Sequence, residues 1–196
     1  MNATSQRELA SRTARTDPRR AHELARAIAD PWYRCQSLAA AGLHLREERV
    51  LEEAFAAALE LTEPNRIVTV SAWPLKALVL IGSTKAGEHA RRLLSIIAPE
   101  PSPLRRADAL RELFGAVVQA DVRIAQPVAE ALVNACLTRL YGDRRNKKGE
   151  SLLVECLAAI KRIDPQLAKR ALGTLPEARA KRAREGGTRI DWPNLA

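Results

Sequence analysis

The sequence predicts an all-α fold, a right-handed α-α superhelix (α-solenoid) of about five helical hairpins. Three observations favour this class. Hydrophobic residues make up 46% of the 196 residues but aromatic residues only 4%, so alanine and leucine must fill the core. Such a composition favours closely packed helices over a β-sandwich or barrel. Apolar residues also recur at helical spacing along the chain, and one such pattern repeats after a fixed interval.

The repeated pattern has an interval of 33 residues. Its first copy is matched position by position by its second: Ala21, Leu24, Ala25, Ile28 and Pro31 by Ala54, Ala57, Ala58, Leu61 and Pro64. A fixed period of this size is typical of helical repeat arrays.

Amphipathic segments divide the chain into successive predicted helices, with a loop at 141–150. These helices are 5–16, 18–30, 31–47, 50–64, 65–82, 85–98, 103–120, 128–140, 151–163, 165–175 and 176–187. Asp-Pro dipeptides separate the first three, because aspartate caps a helix and proline is tolerated in its first turn. The polar last pair suits the terminal cap of a repeat array. We therefore expect one domain, 1–185, and a tail, 186–196, with Gly186 and Gly187 ending the last helix.

Residues 65–82 are predicted to form the central helix. Between Ile67 and Ile81 the only charged residue is Lys76, and a helix that is apolar nearly all round is buried on several sides. The β-branched run at 67–70 leaves a strand as an alternative, although no second strand-like run is present to pair with it. A membrane span is not expected, because the run is short and contains Lys76 and Pro74.

A family resemblance follows from this alternation of helices. Residues 38–64 resemble a tetratricopeptide repeat, with a small-residue first helix, a turn, and a second helix carrying Phe55, Ala58 and the closing Pro64. Residues 71–101 look like the next unit. The resemblance extends over roughly residues 20–175, and a HEAT-like stack fits nearly as well.

The chain departs from the tetratricopeptide pattern at two places. Gly42 stands at the tyrosine-like position of the first helix, and the usual turn glycine is absent at 46–48. The resemblance implies a binding scaffold, whose concave groove is lined by one helix of each pair. The sequence therefore predicts a non-enzymatic protein-protein interaction module, without a cofactor and located in the cytoplasm.

The partner-binding residues are predicted on the first helix of each pair. They are Tyr33, Gln36, His44, Arg66, Thr69, Trp73, Lys76, Arg105, Asp108 and Glu112. Aromatic residues and arginines are the types that anchor protein partners. For Trp73, which precedes a proline inside a helix, two positions stay open: packed in the core, or facing the groove.

The net charge of +9 is concentrated in the C-terminal third. Residues 1–138 carry +2 and residues 139–196 carry +7. The alternative function is therefore non-specific nucleic-acid binding through Arg144, Arg145, Lys147, Lys148, Lys169 and Arg170. Aromatic residues that could stack on bases are absent there apart from Tyr141, so contacts to the phosphate backbone are expected. The same charges also fit a merely solvated surface.

No catalytic or metal-binding motif is found. His22, His44 and His89 lie on separate predicted helices without ligand spacing and are expected at the surface or in the groove. A HEAT-like DNA glycosylase would need a carboxylate and an aromatic residue, for which Asp108 and Trp73 are the candidates, but no pattern singles them out.

The three cysteines, Cys35, Cys136 and Cys156, lie on apolar helical faces. We expect them to be buried free thiols, as in proteins of a reducing cytoplasm.

The tail contains a small apolar group that no local helix can bury. It consists of Ile190, Trp192, Pro193 and Leu195. One hypothesis is that Trp192 packs on its own chain or in a neighbour's groove, which would make a weak homo-oligomer. The alternative is a frayed terminus.

Overall fold

The computed structural model describes residues 2–139 and 145–184, of which 80% are helical and none forms a strand. The eleven helices are α1 (Ala3–Ala14), α2 (Pro18–Arg26), α3 (Pro31–Leu45), α4 (Glu48–Ala58), α5 (Pro64–Leu80), α6 (Ala86–Ile97), α7 (Pro103–Val117), α8 (Val122–Leu137), α9 (Lys147–Ile163), α10 (Pro165–Thr174) and α11 (Glu177–Arg184). The all-α prediction is confirmed, and the β-branched run lies inside α5. The predictions for Gly186, Gly187 and the tail fall outside the described residues.

Two helices, α8 and α9, begin four or more residues earlier than predicted because polar side chains cap them. The Asp121 carboxylate accepts from the backbone N–H of Arg123 at 2.8 Å, and α8 then runs through Pro127. The Asn146 side chain accepts from the N–H of Gly149 at 2.8 Å, which starts α9 at Lys147. The predicted loop at 141–150 is therefore wrong for its last four residues, which form the first turn of α9.

The helices pack in two rows. Each odd-numbered helix contacts the next odd-numbered one, from α1 to α11, and we call these six helices the odd row. The other five, the even row, pack onto the odd helices before and after them. Within the even row, α6 contacts α8 and α8 contacts α10, whereas α2, α4 and α6 do not pack against one another to a comparable extent.

Helix α5 lies at the centre of this arrangement, as predicted. It contacts α3, α4, α6 and α7, and Leu75 and Leu78 on it are fully buried. The buried apolar residues form two clusters, one in the N-terminal part of the chain and one from α4 onward. Trp73 packs against both clusters, so α5 joins them.

Pro74 lies inside α5 and has no N–H to donate to the carbonyl of Val70, one turn earlier. A thiol from α3 takes that place: Cys35 Sγ donates to Val70 O at 3.5 Å. Burial raises the pKa of the Cys35 thiol, which keeps its proton available for this bond. The proline of α5 is thus accommodated by a hydrogen bond between two neighbouring odd helices.

Helices α3 and α4 approach each other closely at Gly42. A Cβ at this position would lie 2.6 Å from Cδ2 and 2.9 Å from Cγ of Leu51, which is fully buried. The turn that follows is closed by Arg46 in the left-handed conformation, with φ of 56°. The two departures from the tetratricopeptide pattern are Gly42 and the missing turn glycine at 46–48, and both lie at the α3–α4 junction. Gly42 avoids a clash with Leu51, and Arg46 adopts the left-handed conformation that a glycine would adopt without strain.

Side-chain pairs bridge the even row where its helices do not pack. His22 of α2 contacts Glu53 of α4 at 2.8 Å, and His89 of α6 contacts Glu52 of α4 at 3.1 Å. The His89 ring is 7% exposed and stacks on Phe55, with ring centroids 3.9 Å apart. The expectation that His89 lies at the surface or in the groove is therefore wrong, because its ring packs on a neighbouring helix.

None of the helices within 2–139 and 145–184 combines the length and apolar composition needed to cross a bilayer.

The hydrogen bond of Cys35 can be tested with a double-mutant cycle. Cys35→Ala should lower the free energy of unfolding by about 1 kcal/mol, since it removes a buried group and the donor to Val70 O. In a Pro74→Ala background, where residue 74 supplies its own N–H, the loss should be smaller by about 0.5 kcal/mol. Urea denaturation measures both values. Equal losses in the two backgrounds would show that the thiol does not compensate for the proline.

Arg46→Gly should stabilise the protein by about 0.5–1 kcal/mol, because glycine adopts a positive φ without the steric cost of a Cβ. Arg92→Gly, in the exposed interior of α6, is the matched control and should destabilise by about 1 kcal/mol. Thermal denaturation of the two variants decides this, and a loss of stability in Arg46→Gly would contradict the explanation.

Candidate binding face on the odd-numbered helices

Helices α5, α7 and α9 each leave one stripe uncovered, at helical spacing, on the side away from the even row. These side chains are exposed or half-buried: Asn65, Arg66, Thr69, Trp73, Lys76 and Leu80 on α5; Leu104, Arg105, Asp108, Arg111 and Glu112 on α7; Lys147, Lys148, Ser151, Glu155, Ala158 and Arg162 on α9. The corresponding stripe of α3 carries Tyr33, Gln36, Ser37, Ala40 and His44. We call these four stripes the odd-helix face.

All ten residues predicted to bind a partner lie on this face. Those of α3, α5 and α7 are brought together because these helices are consecutive members of the odd row. The ten residues differ in how exposed their side chains are. His44, Arg66 and Arg105 are exposed, whereas Tyr33, Thr69 and Lys76 are half-buried. The Thr69 hydroxyl donates to the carbonyl of Asn65 at 2.7 Å and is thus satisfied within its own helix.

On α3 the middle of the stripe is closed over. Gln36 is 7% exposed and Ser37 is fully buried. Neither Gln36 Oε1 nor Ser37 Oγ has a hydrogen-bond partner among the described residues. Buried polar atoms are nearly always paired in native proteins, so two unpaired atoms at adjacent positions are unusual. Sequence analysis did not predict the burial of Gln36 and Ser37, because burial at α3 depends on how closely its neighbours approach.

Aromatic rings and guanidinium groups meet at the N-terminal end of the face. The Arg66 guanidinium lies 5.6 Å from the centroid of the Trp32 ring, and that of Arg7 lies 6.0 Å from the Tyr33 ring. Trp73 is half-buried on the outward stripe of α5 while it packs against both core clusters. Trp73 is therefore partly packed in the core and partly exposed on the outward stripe of α5.

The stripes of α5, α7 and α9 carry seven basic and three acidic side chains. Two of the acids already have basic partners. Asp108 pairs with Lys148 at 2.8 Å, linking α7 to α9, and Glu112 is hydrogen-bonded by Arg111. Partial burial lowers the pKa of the Lys76 ammonium group. A ligand on this face therefore meets an excess of positive charge.

Part of the predicted nucleic-acid site is used within the protein. Arg145 donates twice to the buried Glu150 carboxylate, at 2.8 Å for each bond, and Arg179 of α11 contacts the same carboxylate at 3.1 Å. The bonds to Glu150 raise the pKa of Arg145. With Lys148 paired to Asp108, two of the six predicted residues have internal partners. Three others, Lys147, Lys169 and Arg170, are exposed, and Arg144 lies outside the described residues.

A concave feature lies between α6, α7 and α8. It has a volume of about 390 Å³ and is mostly apolar. Its lining residues are Leu94, Ile97, Ala98, Arg106, Leu110, Ala131, Asn134, Ala135 and Thr138. The sequence did not predict it, because the feature depends on the spacing of three helices.

The three cysteines are buried and free, as predicted. Burial raises the pKa of all three thiols, that of Cys156 to about 12, and the neighbouring Cys156 further raises the pKa of Cys136. In the described part of the chain, no three histidine, cysteine or acidic side chains come close enough to hold a metal ion.

Comparison of the chain with family models, curated proteins and solved structures gives no match.

The raised thiol pKa values predict resistance to thiol reagents. At pH 8 the native protein should show almost no reaction with 5,5′-dithiobis(2-nitrobenzoate), whereas the denatured chain should react at all three cysteines. Because the folded-state pKa values lie above the unfolded value of about 8.5, stability should be full below that pH and fall as the pH rises above it. A Cys35→Ala/Cys136→Ala/Cys156→Ala variant should lose less stability over that range. Rapid native-state labelling would contradict the prediction.

Proposed function

We propose that this protein is a non-enzymatic binding scaffold that holds a segment of another protein on the odd-helix face. The proposal includes a right-handed α-α superhelix with the odd row on its concave side. The observation that carries it is the difference between the rows: consecutive odd helices pack on one another throughout, whereas α2, α4 and α6 lack such contacts. In two stacked layers, the layer with the closer neighbours lies on the inside of the curve.

The composition of the odd-helix face supports a protein partner. Tyr33, Trp73, Arg66 and Arg105 are of the residue types that dominate interface energetics, and they lie on three neighbouring helices. The half-buried aromatic rings offer apolar area that a partner could cover without a large change in the fold. The tetratricopeptide-like or HEAT-like resemblance points in the same direction, and three buried free thiols suit a reducing cytoplasm.

A capture experiment tests this proposal. The immobilised full chain should retain a partner from a lysate of its source, and Arg66→Ala/Arg105→Ala should weaken that binding at least tenfold, the loss expected when a hot-spot arginine is truncated. The matched control is Arg91→Ala/Arg92→Ala on the exposed side of α6, which should bind as the wild type. Equal capture by wild type and both variants would refute a binding role for the odd-helix face.

The second candidate function is non-specific binding to nucleic acid. The excess of basic side chains on α5, α7 and α9, together with exposed Lys169 and Arg170 on α10, favours it. Binding by phosphate contacts falls steeply with salt, with a log–log slope of about −0.9 per neutralised phosphate on duplex DNA.

The capture experiment separates the two functions when it is repeated after nuclease treatment. Loss of all captured material would favour nucleic acid. In that case Lys169→Glu/Arg170→Glu should flatten the salt slope. Arg145 and Lys148 are less suitable for this test, because reversing their charge would break internal ion pairs.

A further inference from the structure

Gln36 holds an unused hydrogen-bond acceptor at the centre of the α3 stripe. Its side-chain oxygen is buried, the residue is 7% exposed, and no donor lies within reach among the described residues. A buried acceptor without a donor costs free energy that an apolar side chain of similar shape would not. The fold therefore does not explain a glutamine here, whereas a ligand that brings an N–H group would.

The surroundings of Gln36 indicate how a ligand could reach it. Tyr33 lies one turn before it on the same stripe, and Arg7 of α1 lies over the Tyr33 ring. Both side chains are half-buried, and neither belongs to a core cluster. Helix α5, with the half-buried Lys76, packs alongside α3, and α7, with the exposed Arg105, follows.

The charge of the face defines the ligand further. The stripes of α5, α7 and α9 carry seven basic and only three acidic side chains, so a ligand with acidic groups is complementary in charge. In nucleic acid the negative charge lies on phosphodiesters, which carry no donor for Gln36 Oε1, and the donors lie on the bases and on the 2′-hydroxyl of RNA. An extended peptide supplies both, because each residue other than proline carries a main-chain N–H and acidic side chains can alternate along it.

We propose that the ligand of the odd-helix face is an extended acidic peptide segment of a partner protein. One of its main-chain N–H groups donates to Gln36 Oε1, and its carboxylates contact Lys76 and Arg105. This inference rests on the proposed function and specifies the partner of the same face.

Designed peptides test the inference with the full chain. The probe is a fluorescein-labelled peptide of alternating glutamate and alanine, compared with peptides that carry glutamine or lysine instead of glutamate. Fluorescence anisotropy should show binding of the glutamate peptide and at least tenfold weaker binding of the other two. Lys76→Gln/Arg105→Gln should weaken glutamate-peptide binding about tenfold, and Arg91→Gln/Arg92→Gln should leave it unchanged.

The role of Gln36 is tested by Gln36→Leu, which keeps the approximate size of the side chain. The variant should have a higher melting temperature, because the unpaired acceptor is gone, and about tenfold weaker peptide binding. N-methylation of the peptide backbone, which removes donors, should weaken binding to the wild type but have little effect on the variant. A Gln36→Leu variant with a lower melting temperature and unchanged affinity would assign the residue to the fold alone and overturn its proposed role.

Three further outcomes would overturn the inference. Equal binding of all three peptides would remove the acidic preference while leaving the proposed function in place. Tighter binding of a single-stranded oligonucleotide, unaffected by Gln36→Leu, would assign the face to nucleic acid. If no peptide binds although a partner protein is captured through Arg66 and Arg105, the partner is not an acidic segment, and failure of the capture as well would refute both proposals.

Discussion

The need to bury α5 determines most of this structure. The helix is apolar on every side but one, and four other helices cover it. Its proline removes a hydrogen bond that only a neighbour can replace, and Cys35 of α3 does so through the Val70 carbonyl. Because α3 and α7 must lie against α5 on either side, the one uncovered stripe of α5 lies between theirs. The odd-helix face is thus a direct consequence of core formation.

Helical spacing predicted the order and type of the helices well, since periodicity depends on local sequence alone. Boundaries were less predictable. The predicted helix began at residue 128, but the Asp121 cap begins α8 earlier, and the N–H that Pro127 lacks falls near the exposed end of the helix. Asn146 likewise places Lys147 and Lys148 in a helix. In each case a side chain that caps the backbone outweighed the apolar pattern on which the prediction depended.

The binding face could be predicted in outline for the same reason, because one outward stripe per helix follows from the period. Its details depend on contacts between residues distant in sequence. Asp108 and Lys148 are separated by 40 positions and pair only because α7 packs on α9. His89 was expected at the surface, yet it stacks on Phe55 of another helix. The burial of Gln36 also depends on neighbouring helices, so no local pattern reveals it.

The odd helices are held together by core packing, whereas α2, α4 and α6 are joined mainly by side-chain pairs, so the two rows differ in how easily their helices separate. Spreading the odd row would expose apolar core and break the Cys35 bond, which is costly. Spreading the even row between α2, α4 and α6 would separate Glu52 and Glu53 from their histidines and the His89 ring from Phe55, and partly exposed ion pairs of this kind contribute little stability. Because adjacent residues on a helix point in different directions, these two carboxylates reach opposite neighbours. The softest deformation is therefore a flexing about the odd row, in which α2, α4 and α6 change their spacing while the odd helices remain in contact.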